Sequence, residues 1–158
     1  DVLTGLYNRR QLIAVLEHEI RKRTGRNSQP LALALMDIDH FKQVNDELGH
    51  LGGDSALKQL TAILTDHAGP RDVLARIGGE EFALIMPEIT IDEARAQAER
   101  IRAAVADYSF KIESYPRKLT ISIAVAYWSP EITSTSDFLR TADQRLFRAR
   151  NGGRNLVC

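Results

Sequence analysis

The chain has 158 residues, 21 Lys plus Arg against 21 Asp plus Glu, and a single cysteine, Cys158. That length suits one domain with a real core. Zero net charge leaves no global field to draw in nucleic acid or an anionic membrane surface, and a lone cysteine excludes an internal disulfide and fits a reducing compartment.

In chain order, Asp1 to Asn8 is a turn-rich entry with Asn8 placed as an N-cap. No secretory leader precedes it, so the expectation is a single cytoplasmic domain, 1–158, cut from a longer protein with room upstream for a sensor or membrane anchor. From Arg9 to about Arg23, Leu12, Ile13, Leu16 and Ile20 recur at helical spacing. Thr24 to Pro30 is a polar loop. Leu31 to Met36 is a wholly apolar run that reads as a buried strand delivering Asp37 at its end. This run and Ile123 to Trp128 are the longest apolar stretches, and both are far too short to span a bilayer. Asp39 is expected to cap the next helix, with Phe41, Val44 and Leu48 on its inner face. Gly49 to Asp54 breaks that helix, and Ala56, Leu57, Leu60, Ile63 and Leu64 carry another.

Asp72 to Ile77 and Phe82 to Met86 read as two strands around Gly78-Gly79-Glu80-Glu81. A glycine pair between apolar runs predicts a hairpin whose tight turn needs φ > 0. Adjacent residues on a strand face opposite ways, so Glu80 and Glu81 are not expected to share one role. Thr90 to Glu93 has the spacing of a capping box opening a helix with Ala94, Ala98, Ile101 and Val105 inward. Leu119 to Val125 alternates as a half-buried strand, Ser136 to Arg150 is a last helix, and Asn155 to Val157 is a short edge strand. The mixture predicts an α+β sheet with helices packed on it.

Asp37 at a strand end and Glu80 in a glycine turn of the same sheet are the minimum pair for hard divalent cations, with the Ile38 carbonyl as a third oxygen. The start of the helix after Asp39 offers free N–H groups for an anion, and Arg150 and Arg154 flank a glycine turn near the end. Taken singly, these features read first as a solvated strand end, a helix cap, a solvated Lys42 and surface arginines. Together they suit a nucleoside triphosphate.

Asp1-x-Leu3-Thr4-Gly5-Leu6-x-Asn8-Arg9-Arg10 opens the chain. Met36 to Lys42, Asn45-Asp46, Gly49-His50, Gly53-Asp54, Arg76 to Phe82, Thr120-x-Ser122-Ile123, Ala142-Asp143 and Gly153-Arg154-Asn155 follow. In these blocks and their order the chain resembles GGDEF domains, the catalytic domains of diguanylate cyclases, in the Gly-Gly-Glu-Glu-Phe form. The resemblance implies a palm-like, nucleotidyl-cyclase fold around a mostly antiparallel sheet. It implies condensation of two GTP into cyclic di-GMP and two pyrophosphates, with two Mg²⁺ or Mn²⁺ per site, across a homodimer. By family role Asp37, Glu80 and the Ile38 carbonyl hold the metals. Asn45 and Asp54 read guanine, and the backbone at His40, Phe41 and Lys42, with Arg150 and Arg154, holds the phosphates. Glu81 either helps deprotonate the attacking hydroxyl or shapes the turn. A carboxylate such as Asp54 accepts both guanine N1–H and N2–H, which adenine would leave unpaired.

The chain departs from the family pattern in four places. Arg150 stands where Lys is usual, Phe147 replaces Tyr, and Ala124 replaces Gly. The family's inhibitory Arg-x-x-Asp site is degenerate, with Gly69 in place of Arg and Asp72 present. The alternatives are an inactive relative that binds GTP or cyclic di-GMP and signals through a partner, and a polynucleotide-binding palm domain, which the neutral charge disfavours.

Overall fold

β1 (Leu31–Ile38) is buried along its whole length, which its unbroken apolar run requires. In the computed structural model, which describes residues 1–23 and 28–158, it lies between two antiparallel neighbours. These are β3 (Glu81–Pro87) and β6 (Ile121–Tyr127). β2 (Val73–Arg76) pairs outside β3, so the four-stranded sheet runs β2-β3-β1-β6. The register places Asp37 opposite Glu81 on one side and Ser122 on the other. The expected edge strand is a short parallel pairing, with Leu156 and Cys158 bonded to the outer edge of β6 at Ile123 and Val125.

Alternation along the strands divides the core. Ala32, Ala34, Met36, Phe82, Leu84, Ile123 and Val125 pack with α2 (Phe41–His67) and α3 (Ile91–Asp107). Leu31, Leu33, Leu35, Ala83, Ile85, Ala124 and Ala126 pack with α1 (Arg9–Lys22) and α4 (Thr135–Asn151). The result is the expected α+β architecture, helices on both faces of an antiparallel sheet. The polar loop predicted at Thr24 to Pro30 falls partly on 24–27, outside the described residues. Among the described residues no helix is long and apolar enough to cross a membrane.

Local signals behave as their chemistry predicts at two helix starts. Asn8 and Gln11 form a reciprocal capping box, and so do Thr90 and Glu93. The break expected at Gly49 is present: at φ 70° and ψ 176° Gly49 leaves helical geometry, and α2 is two helical limbs joined across a kink there. A hairpin of β4 (Phe110–Ile112) and β5 (Tyr115–Arg117) was not anticipated. Its strands are three residues each and one contains Pro116, too short for a periodic signal to emerge.

Candidate active site

The site lies at the end of β1. Asp37 is on the same strand face as Leu35 and beside its cross-strand partners Glu81 and Ser122. Its carboxylate is 3% exposed, and the Arg150 guanidinium reaches to 3.5 Å of it from the last turn of α4. Burial, aided by the nearby charges of Glu80, Glu81 and Asp39, pushes the Asp37 carboxyl up to about 6 against the pull of Arg150.

Glu80 precedes β3, and its carbonyl accepts from the Ile38 N–H at 3.3 Å, which ties the turn to the metal-ligand candidates on β1. The turn is not the tight type expected. Neither Gly78 nor Gly79 has a positive φ, because four residues connect the strands and the N–H groups of Ile77 and Gly78 both close on the Glu81 carbonyl, at 2.9 and 3.3 Å. The Arg76 guanidinium steadies the turn from β2, donating to the Gly79 carbonyl at 2.8 and 3.2 Å and to the Asp1 carboxylate at 3.3 Å. Glu81 leaves the turn on the α1 and α4 side, where it lines a cleft of about 430 Å³ with Arg9, Ile77 and Asp143. Asp37 lies directly across the ladder on the same face, so the Glu81 charge acts on the Asp37 carboxylate as well as on the cleft.

Residues Asp37 and Glu80 and the Ile38 backbone fit a hard divalent cation on their chemistry. A buried carboxyl crowded by three others, with one arginine against them, is an excess of negative charge that such an ion neutralises. Among the described residues no group of three or more His, Cys, Asp or Glu forms a complete cage. Two carboxylates and a carbonyl leave coordination positions for phosphate oxygens and water, the usual habit of Mg²⁺.

Asp39 is not the helix cap its position suggests. His40 holds the cap position, left-handed at φ 56° and without a side-chain cap bond. Asp39 instead is buried and accepts from Thr120 Oγ1 and Ser122 Oγ, both at 2.7 Å, and from the Asn155 backbone N–H at 2.9 Å. The partners lie far off in the chain, and the hint available is Thr120 and Ser122, two hydroxyls on one face at the mouth of β6. The opening N–H groups of α2, at Phe41 and Lys42, have no intrahelical carbonyl by position, and Lys42 is exposed.

Asn45 and Asp54 stand on opposite sides of the Gly49 kink, one on each limb of α2, both half-buried. They are brought together at Gly53, where an added Cβ would lie 1.9 Å from Asn45 Oδ1. The absence of a side chain there lets the Asn45 amide lie against the backbone beside Asp54. Arg154 is left-handed at φ 63°, in the turn after α4. The degenerate loop is self-contained: Asp72 Oδ2 accepts from the Gly69 N–H at 2.6 Å and from Gln97 Nε2 at 2.7 Å, while Arg71 pairs with Glu88.

Residues 1–156 match the family described as diguanylate cyclase, GGDEF domain. The chain is 40% identical over 155 residues to diguanylate cyclase DgcP of Pseudomonas aeruginosa, covering 98% of this chain and 23% of that protein. It is 40% identical over 157 residues to diguanylate cyclase DgcM of Escherichia coli, covering 99% and 37%. It thus spans well under half of these curated relatives. Among solved structures, the GGDEF domain of DgcB from Caulobacter crescentus, in complex with c-di-GMP, superposes with a TM-score of 0.94 at 32% identity, covering 99% of this chain and 90% of that one. The active GGEEF domain of a diguanylate cyclase from Vibrio cholerae superposes at 0.89 with 30% identity, covering 98% and 97%. With the match running almost end to end, the chain belongs to the GGDEF-domain diguanylate cyclase family.

Proposed function

We propose that the chain is an active diguanylate cyclase domain, the catalytic unit of a longer protein, which joins two GTP into cyclic di-GMP with release of two pyrophosphates. The observation that carries this reading is the strand end itself: a buried Asp37 beside Glu80 and Glu81, with Arg150 at 3.5 Å. Divalent cations held by Asp37, Glu80 and the Ile38 carbonyl would stabilise the entering and leaving oxygens of an in-line attack by a 3′-hydroxyl on an α-phosphate.

The chain's own groups do the rest. Asp54 accepts the two donors of the guanine edge and Asn45 adds a third contact. The first N–H groups of α2, Lys42, Arg150 and Arg154 hold the polyphosphate. Glu81, across the ladder from Asp37, shapes the turn or receives the hydroxyl proton. One chain presents one Asp37–Glu80 pair, so one protomer brings one GTP and a second copy brings the other. The neutral balance of charge supports a nucleotide rather than a nucleic acid as partner.

The test is product analysis after incubation with GTP and Mg²⁺, for the chain and for Glu80→Gln. Cyclic di-GMP from the first and loss of at least a hundredfold in turnover from the folded variant are expected. GTP bound but never converted would favour a nucleotide-binding relative, and a Glu80→Gln variant with ordinary turnover would remove Glu80 from the site.

A further inference from the structure

Arg154 and Asn155 are consecutive non-glycine residues in the left-handed region, with φ of 63° and 46°. L-residues adopt this conformation at a cost, so it persists where surrounding contacts over-determine it. Here the contacts come from three sides. The Arg154 N–H donates to the Ala149 carbonyl at 3.2 Å. The Asn155 N–H donates to Asp39 Oδ2 at 2.9 Å, and Asn155 Oδ1 accepts from Arg102 Nη1 of α3 at 2.8 Å. Arg102 is itself oriented by Glu99.

Asp39 is unusual in this set. It is a carboxylate 5% exposed whose three donors, two hydroxyls and an amide, are all neutral. Burying a carboxylate is expensive, and a stabilising cap would have been cheaper at the surface. What the carboxylate provides is acceptors on both oxygens, joining the end of β1, the mouth of β6 and the turn after α4 at one point. Asp39 also lies two residues beyond Asp37, so a single hydrogen bond fixes how far the Arg154 turn stands from the carboxylate at the strand end.

We propose that Asp39 and Arg102 are positioning residues that clamp Asn155, holding the turn of Arg154 at the register needed to grip the nucleotide's β- and γ-phosphates. The proposal rests on the cyclase reading above through one element, Arg154 as a phosphate ligand. Neither Asp39 nor Arg102 needs to touch the nucleotide.

Binding rather than turnover separates the two. The chain and its variants are titrated with GMP and with a GTP analogue bridged by a methylene between the α- and β-phosphorus, which cannot release pyrophosphate. Arg154→Ala is expected to weaken the analogue about tenfold and leave GMP unchanged. Asp39→Ala should give the same selective loss and Arg102→Ala about a threefold one, with no further loss when either is combined with Arg154→Ala. Asp39→Asn should retain the preference for the triphosphate. Its amide oxygen still accepts from Asn155, and its NH₂ donates to the Ser122 hydroxyl. If Asp39→Ala does not fold, Arg102→Ala and Asp39→Asn decide the matter. Clamp variants that bind the analogue like the parent, that lose GMP and analogue alike, or an Asp39→Asn as deficient as Arg154→Ala would overturn the proposal while leaving the cyclase reading standing. If Arg154→Ala itself changes nothing, the phosphate assignment fails and takes the clamp with it.

Discussion

Burial and the charges of Glu80, Glu81 and Asp39 push the Asp37 carboxyl up to about 6 from an ordinary value of 3.8, against the pull of Arg150. A folded-state pKa above the unfolded one means that the native protein binds more protons between about pH 4 and 6. Stability therefore falls as pH rises through that window, and the cost is fully present above it. In metal-free protein, Asp37→Asn should raise stability at pH 7.5 by on the order of 2 kcal/mol and flatten the profile between pH 4 and 6, while abolishing turnover. Urea unfolding of both proteins with a chelator, over a pH series, checks this. An Asp37→Asn variant less stable than its parent at pH 7.5 would contradict it. Asp37 is legible in the sequence because the acid that ends an apolar strand coincides with Glu80 in a glycine turn of the same sheet, although alone it reads as a solvated strand end. Asp39 is not, because an acid before a helix is ordinarily a cap, and what reassigns it are donors 81, 83 and 116 residues away.

Among the elements, helices with reciprocal caps and strands of seven or eight residues are readable, since each carries its own period or its own capping pair. The β4–β5 hairpin and the open form of the Gly78–Gly79 turn are set by contacts rather than by composition. The loop before β2 shows what an element can disclose beyond its sequence. Gly69 removes the arginine of the family's inhibitory pattern, and Asp72, which remains, is already committed to the Gly69 N–H and to Gln97, whose amide also donates to the His67 carbonyl at 3.0 Å. Arg71 is drawn off by Glu88. Initial rates should therefore change less than twofold with micromolar cyclic di-GMP added. Gly69→Arg alone should restore little inhibition, since its partner carboxylate is engaged. Rates measured across a product series would settle it, and strong inhibition abolished by Asp72→Ala would show that the loop opens to grip the product.

At the scale of the whole molecule, under the proposed cyclase function one chain would supply one guanine-reading pair, one phosphate-holding turn and one strand-end acid pair, whereas cyclic di-GMP carries two guanines and two phosphates. Specific activity should accordingly climb with protein concentration and level off once dimers saturate, with a slope near two in a log–log plot of rate against dilute enzyme. A slope of one, with monomers seen by sedimentation at the same concentrations, would sink the shared-site mechanism. The strand order carries a different consequence, for synthesis rather than catalysis. β1, central in the sheet, is translated before both of its neighbours, since β3 ends at Pro87 and β6 at Tyr127. At roughly 5–20 residues per second, its eight apolar-rich residues emerge from the ribosome several seconds before the second flank exists. Until β6 exists, the strand that later lies deepest keeps at least one open edge, a template for any other chain's backbone, so a block in translation between β3 and β6 should leave an intermediate that aggregates or must be held by a chaperone.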